Sequence, residues 1–280
     1  MILKFSHFFK TLSFRMPLGM RNLLFSAFFS AVALFPHMAK AQVQAPTSRI
    51  IPPPPSFKFP EGQNFVYSVQ WHMLSAGTTT IFITRSGSAE HLHSTADTSG
   101  MTNKIYRVHD IFDADIDSRT FCTQAITRHA EEGSRRLNRK IQFDYTAAKS
   151  HVDDVDLKTA KKKHSEFDVP PCVSDVVTGF FYASSLSLAP GLSETFPVND
   201  GGKTSDVRIE VEGRSTIKVP AGEFHTVRVR AEPITGPLKG KGMLWVWFTD
   251  DRQHTPVQMK SKLGFATLLF QLQRMDPQSR

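Results

Sequence analysis

From Phe65 onward apolar and polar residues alternate with a period of two. Phe65, Tyr67, Val69 and Trp71 take one side of the chain, and Val66, Ser68 and Gln70 the other. Ser75-Ala76-Gly77 reads as a turn, and Thr78 to Thr84 is rich in the β-branched residues that strands favour. Phe112, Ala114 and Ile116 oppose Asp113, Asp115 and Asp117, and Ile141, Phe143 and Tyr145 form a further alternating run. In the stretch Val207 to Glu232, Val207, Ile209 and Val211 alternate with Arg208, Glu210 and Glu212. The pattern breaks at Pro220-Ala221-Gly222 and resumes with Val227 and Val229. Proline presets the first corner of a turn and glycine accepts a positive φ, so this stretch predicts a β-hairpin with one wet face and one apolar face.

Two segments depart from this pattern. Met243 to Phe248 is apolar on both faces, with Leu244, Val246 and Phe248 on one and Trp245 and Trp247 on the other. Such a strand needs cover on both sides. Val173, Val176, Val177, Phe180 and Phe181 instead recur at three-and-four spacing, which predicts an amphipathic helix starting at Ser174 as N-cap and stopped by Pro190-Gly191. Pro256 to Phe270 adds two strands around Gly264. The expected fold is mostly β: a curved antiparallel sheet, an open or half barrel, packed around that one helix.

The first residues obey a different rule. Lys4, Lys10, Arg15 and Arg21 precede a thirteen-residue apolar run, Leu23 to Phe35, then Pro36 and the small-x-small Ala39-Lys40-Ala41. That order is a secretory signal, and the run is short of the ~20 residues of a spanning helix. The expectation is cleavage after Ala41, with Met1, Met16 and Met20 as alternative starts, and export to the periplasm or beyond the cell. Residues 42–58, with four consecutive prolines from Pro52 to Pro55, read as an extended linker. Residues 59–280 read as one antiparallel β domain. The formal charge of +8 falls to about +3 once the five cations before Gln42 are removed, which takes away the argument for nucleic acid. Cys122 and Cys172 lie in the exported part, where thiols tend to pair. A bridge would close about fifty residues, worth up to ~4 kcal/mol, but spacing alone leaves open whether the sulfurs meet.

Candidate chemistry is sparse. His91 and His93 share a strand face, as β-scaffold zinc ligands do, with Asp97 or His109 as a third partner, yet no ligand set of complete spacing is present. Asp113, Asp115 and Asp117 lack the glycine and the twelfth-position carboxylate of a calcium loop. There is no Gly-x-Ser-x-Gly elbow and no phosphate-binding glycine loop. Two basic clusters, Arg135-Arg136 with Arg139-Lys140 and Lys158 with Lys161 to Lys163, suit solvated loops or anionic headgroups. No catalytic residue, metal or cofactor is therefore expected.

Several stretches taken together resemble a known family: "FPEGQNFVYSVQW" with "SAGTTT", "VSDVVTGFFYASSLSLAPG", "IKVPAGEFHTVRV" and "LWVWFTDDRQHTPVQMK". They are similar to the bacterial exported proteins grouped as domain of unknown function 3108, in the same order, from Phe57 to Leu272. The resemblance implies an exported, mostly antiparallel β protein of the cell envelope and implies no catalytic residues. The cysteines are not part of that pattern. The surplus aromatic surface of Phe180, Phe181, Trp245 and Trp247 makes a binding module for a hydrophobic or lipid-like ligand the leading expectation. The alternatives are a structural or assembly partner of envelope proteins, and a hydrolase built on His91, His93 or a cysteine.

Overall fold

The computed structural model describes residues 48–264 and 266–277. The expected signal segment and its cleavage after Ala41 lie outside the described residues. Eight strands come first: β1 (Gln63–Trp71), β2 (Leu74–Ser86), β3 (Ala89–Thr98), β4 (Val108–Asp117), β5 (Thr123–Glu132), β6 (Arg135–Asp144), β7 (Lys149–Asp156) and β8 (Lys162–Asp168). Seven follow: β9 (Ser174–Asp175), β10 (Ser193–Asp200), β11 (Lys203–Val219), β12 (Gly222–Pro233), β13 (Met243–Thr249), β14 (Pro256–Leu263) and β15 (Ala266–Pro277). Helix α1 (Gly100–Ile105) joins β3 to β4, and α2 (Thr178–Ser185) joins β9 to β10.

All fifteen strands belong to one sheet, in the order β8-β7-β6-β5-β4-β3-β2-β1-β15-β14-β13-β12-β11-β10-β9. Two antiparallel meanders meet at the β1–β15 pair, where Phe65 lies opposite Met275 and Trp71 opposite Leu268. The sheet does not close on itself, since β8 and β9 are its two ends. It curls until its arms touch. The Ser150 hydroxyl on β7 donates to the Gly202 carbonyl in the β10–β11 turn at 2.8 Å, and the Lys203 ammonium sits 5.1 Å from the centre of the Phe167 ring on β8. The expected curved, open antiparallel sheet around a helix is the observed architecture.

The period-two pattern explains which face curls inward. Along β4, Val108, Asp110, Phe112, Ala114 and Ile116 are buried while their neighbours are not. Val207, Ile209 and Val211 of β11 and Val227 and Val229 of β12 join the same core. Tyr67 is wholly buried, and its hydroxyl donates to the Pro256 carbonyl at 2.7 Å, so burial raises its pKa. An ionic group also faces inward: Arg128 donates to Asp110 and, at 2.6 Å, to Glu132, all three buried.

Three local expectations are corrected. The β1–β2 turn falls at His72-Met73, not at Ser75-Ala76-Gly77. Gly77 instead sits inside β2 at a register shift, where a Cβ would meet the Asp97 carbonyl at 1.9 Å. The helix begins at Thr178, because Ser174 and Asp175 pair in parallel with Val198 and Asn199 of β10. Asp175 still caps it from outside: its Oδ1 accepts from the Val177 and Thr178 amides at 2.7 and 3.0 Å. Finally, α2 is not one-sided. Every residue except Gly179 is buried, because the sheet wraps around it.

The segment read as a linker is docked from Arg49 onward. The Arg49 amide donates to the Thr195 carbonyl, the Ile51 amide to the Tyr182 hydroxyl, and Ile50 is buried. Apolar residues flanking the prolines, Ile50 on one side and Phe57 and Phe59 on the other, provide the adhesion. A disulfide joins Cys122, at the β4–β5 turn, to Cys172, just before β9. It ties the middle of the first meander to the segment that leads into β9 and α2.

Candidate functional site

Helix α2 divides the interior into two spaces. On one side Gly179, Phe180 and Ala183 face an apolar slot of about 100 Å³ walled by Val207, Val229, Val246 and Phe248. On the other side Phe181 and Ser184 face a chamber of about 670 Å³. Small-molecule sites run to ~300–1,000 Å³, so the chamber has room for a ligand and the slot does not.

The chamber has an aromatic floor and a polar wall. Phe57, Phe59, Phe65 and Phe181 supply the floor; Phe57, Phe59 and Phe121 pack in a cluster with centroids 4.8 to 5.4 Å apart. Arg85, Glu90, Arg252 and His254 supply the wall, and Pro53 with residues Ser56 to Pro60 line its border. Glu90 is fully buried beside this space. Both its carboxylate oxygens lack a hydrogen-bond partner among the described residues, and Arg85 Nε lies 3.3 Å from one of them. Burial pushes the Glu90 pKa up to about 6, helped by the nearby Glu61 and opposed by Arg85. His254 is held by its Nδ1, 2.8 Å from the Ser184 carbonyl of α2.

The four aromatic residues singled out in the sequence do not converge. Phe180 lines the slot and Phe181 the chamber. Trp245 and Trp247 lie on the outer face of β13, opposite Arg230 and Arg228 of β12, while Val246 and Phe248 face inward. Glu90 escaped sequence reasoning because a lone acid in an alternating strand looks like a wet-face residue. The only signal was its phase: it shares a face with Leu92, not with His91.

The histidines form cross-strand pairs on the outer face. His91 Nδ1 is 2.8 Å from Asp115 and His93 Nδ1 is 2.7 Å from Asp113. Asp97 and His109, considered as a third ligand, pair with each other instead at 2.6 Å. A different trio does converge: ligand atoms of His151, His164 and Glu166, on β7 and β8, all lie within 4.8 Å of one another. Neither cysteine is free to act as a nucleophile. The arginine cluster is largely neutralised, with Arg135 against Glu132 at 3.0 Å, Arg136 against Glu131 at 3.5 Å and Arg139 against Asp154 at 2.6 Å.

The family pattern covers most of these elements. It matches residues 66–273, from within β1 to within β15. The chain belongs to the family described as protein of unknown function DUF3108. No curated protein matches the chain. Among solved structures it is similar to a beta-barrel-like protein of domain of unknown function DUF1849 from Brucella abortus, with a TM-score of 0.55 at 8% identity over 81% of this chain and 98% of that one. At that identity the likeness concerns the fold alone. A provisionally assigned lipoprotein from Parabacteroides distasonis matches at 10% identity over 79% of this DUF3108 chain and 98% of its own, with a TM-score of 0.30. A similarly provisional exported protein with a YmcC-like fold from Bacteroides fragilis matches at 9% identity over 79% and 98%, also at 0.30.

Proposed function

We propose that this DUF3108 protein is an exported, non-enzymatic binding module for an amphipathic, lipid-like ligand held in the chamber beside α2. One observation carries the reading: a buried carboxylate, Glu90, has two oxygens without hydrogen-bond partners among the described residues, with only the Arg85 guanidinium 3.3 Å away, next to a floor of four phenylalanines. Buried acceptors left unmatched are costly, and a ligand with a hydroxyl, amide or ammonium head would satisfy them. The apolar body of the same molecule would cover Phe57, Phe59, Phe65 and Phe181. The N-terminal basic, apolar, small-x-small order supports export of the chain.

Among the described residues the chamber wall carries Glu90 and His254 but no serine or cysteine nucleophile paired with either, which favours holding over turnover. The test is native mass spectrometry of the chain recovered from an exporting host without detergent, followed by titration with a fluorescent long-chain amine and a fluorescent fatty acid. A co-purified lipid-sized mass, and saturable binding that favours the amine and weakens in Glu90→Gln, is the expected result. A bare chain that binds neither probe would remove the proposal and shift the reading to an envelope assembly partner.

A further inference from the structure

Antiparallel meanders send alternate turns to opposite ends of the sheet, so the molecule has two rims. One rim is made by residues 72–73, 99–107, 133–134, 157–161, 201–202, 234–242 and 264. These segments carry Lys104, Arg107, Lys158, Lys161, Lys239 and Lys241 and no acidic residue. The other rim, with residues 87–88, 118–122, 145–148, 220–221 and 250–255, balances Arg119 and Arg252 against Asp250 and Asp251. The basic rim is also where apolar side chains stand in solvent. Of the seven exposed large hydrophobic residues described, five are on or beside it: Met73 at 95% exposure, Leu74 at 63%, Met101 at 69%, Ile105 at 64% and Leu157 at 41%. Helix α1 roofs an apolar groove there of about 330 Å³, bordered by Trp71, Leu74, Met101, Ile105 and Leu268.

We infer that this rim docks on an anionic lipid bilayer, the lysines against headgroups and Met73, Leu74, Met101 and Ile105 among the first acyl methylenes. Exposed methionines and isoleucines beside unpaired lysines are an expense on a free surface, but both satisfy one partner of this chemistry. Lys104, Lys161, Lys239 and Lys241 make no ion pair among the described residues, so their charge is available. Docking in this pose points the chamber, which lies by residues 118 and 252–255 at the opposite rim, away from the bilayer. The rim alone carries this inference, and it stands whether or not the chamber holds a lipid.

Flotation of the exported chain on vesicles tests it. Equimolar phosphatidylcholine and phosphatidylglycerol should carry the protein up the gradient, and phosphatidylcholine alone should not. Lys161→Gln with Lys239→Gln should weaken binding by about 25-fold, at roughly fivefold per lysine. Met101→Asp with Ile105→Asp, both exposed and outside the core, should abolish flotation, while Arg119→Glu on the other rim should not. Equal flotation on both vesicle types, or rim variants that bind like the parent, would overturn the inference. Flotation of Glu90→Gln separates the two ideas: that variant is altered only in the chamber, so it should float even if probe binding is lost.

A different observation carries a second site. On the outer face of the β7–β8 hairpin, His151 lies opposite Glu166 and Asp153 opposite His164. Glu166 Oε1 is 3.3 Å from His151 Nδ1 and 3.7 Å from His164 Nε2. Two ligands of a tetrahedral zinc ion stand about 3.3 Å apart, so only small side-chain rotations are needed. Asp153 Oδ1, 2.8 Å from His164 Nδ1, would accept a hydrogen bond from Nδ1–H and so leave Nε2 for the metal, as carboxylates behind zinc-bound histidines do. We propose that His151, His164 and Glu166 bind a zinc-like divalent cation. Titration of the chelator-treated chain with zinc chloride should show one site, lost in His164→Ala and weakened about 10- to 100-fold in Asp153→Asn. His91→Ala with His93→Ala should keep it. No saturable binding, or a site that survives His164→Ala, would overturn the assignment.

Discussion

The Ser150 hydroxyl reaches the Gly202 carbonyl across 2.8 Å, joining β7 to a turn fifty-two residues further along the chain. These two residues belong to opposite arms of the sheet, and their contact is where the arms of the open half barrel meet. Gly202 has a φ of +91°, and a Cβ there would lie 2.3 Å from Val152 and 2.8 Å from Phe167. Gly202→Ala should therefore lower stability by about 2–4 kcal/mol, through backbone strain and overpacking together. Gly201→Ala, which meets only the flexible end of Arg139, should cost about 1 kcal/mol. Urea midpoints would compare the two, and hydrogen exchange should place the Gly202→Ala loss in β7 and β8.

The Cys122–Cys172 bridge spans a sequence separation of 50. Replacing both cysteines with serine should destabilise the fold by up to ~4 kcal/mol, since the unfolded chain regains the freedom of that loop. Urea unfolding with and without reductant would read it. A midpoint that reductant leaves unmoved would mean that packing around Phe121 already holds the segment.

Glu90 makes stability depend on pH in a stated direction. Its folded pKa, about 6, lies above its ordinary value of 4.5, so the folded chain holds a proton that the unfolded chain releases. This contribution is full below pH 4.5 and is lost as pH rises through about 6, a change of up to about 2 kcal/mol. Glu90→Gln should flatten the profile between pH 4.5 and 7 relative to the parent. A parallel profile would show that Arg85, 3.3 Å away, keeps the carboxylate charged.

Phe181 lines the chamber, whereas Trp245 stands on the outer face of β13. Phe181→Ala should cost about 3–5 kcal/mol of stability and weaken amine-probe binding at least tenfold, because the chamber floor loses a ring. Trp245→Ala, on the outer face, should leave probe affinity unchanged. Equal losses in both variants would point to a general loosening and not to a site.

Strand identities were legible wherever side chains alternate, and β4, β11 and β12 all keep the phase expected of them. The hairpin of β11 and β12 turned where Pro220 and Ala221 said it should, and its role is that of a wall, with Val207 and Val229 lining the slot. The helix was found, but its first turn was misplaced. The spacing of Val173 to Phe181 does not reveal that Ser174 and Asp175 have a strand, β10, to pair with. The MLWVWF segment was rightly read as apolar on both sides. Its tryptophans nonetheless cover the outside next to Arg228 and Arg230, and the ligand space lies elsewhere.

Sequence alone determined the β class, the single helix inside a curled sheet, the family and the basic clusters, because each depends on short-range periodicity or local composition. Only the tertiary structure decided which charges are spent and which remain. Arg135, Arg136 and Arg139 lie beside acids of neighbouring strands, whereas Lys161, Lys239 and Lys104 share a rim and make no ion pair among the described residues. It also turned a proline spacer into a chamber wall, and it brought His151 to His164 and Arg85 to Glu90. Cross-strand register and the curl of the sheet set those distances, and both arise from pairings between residues far apart in the chain.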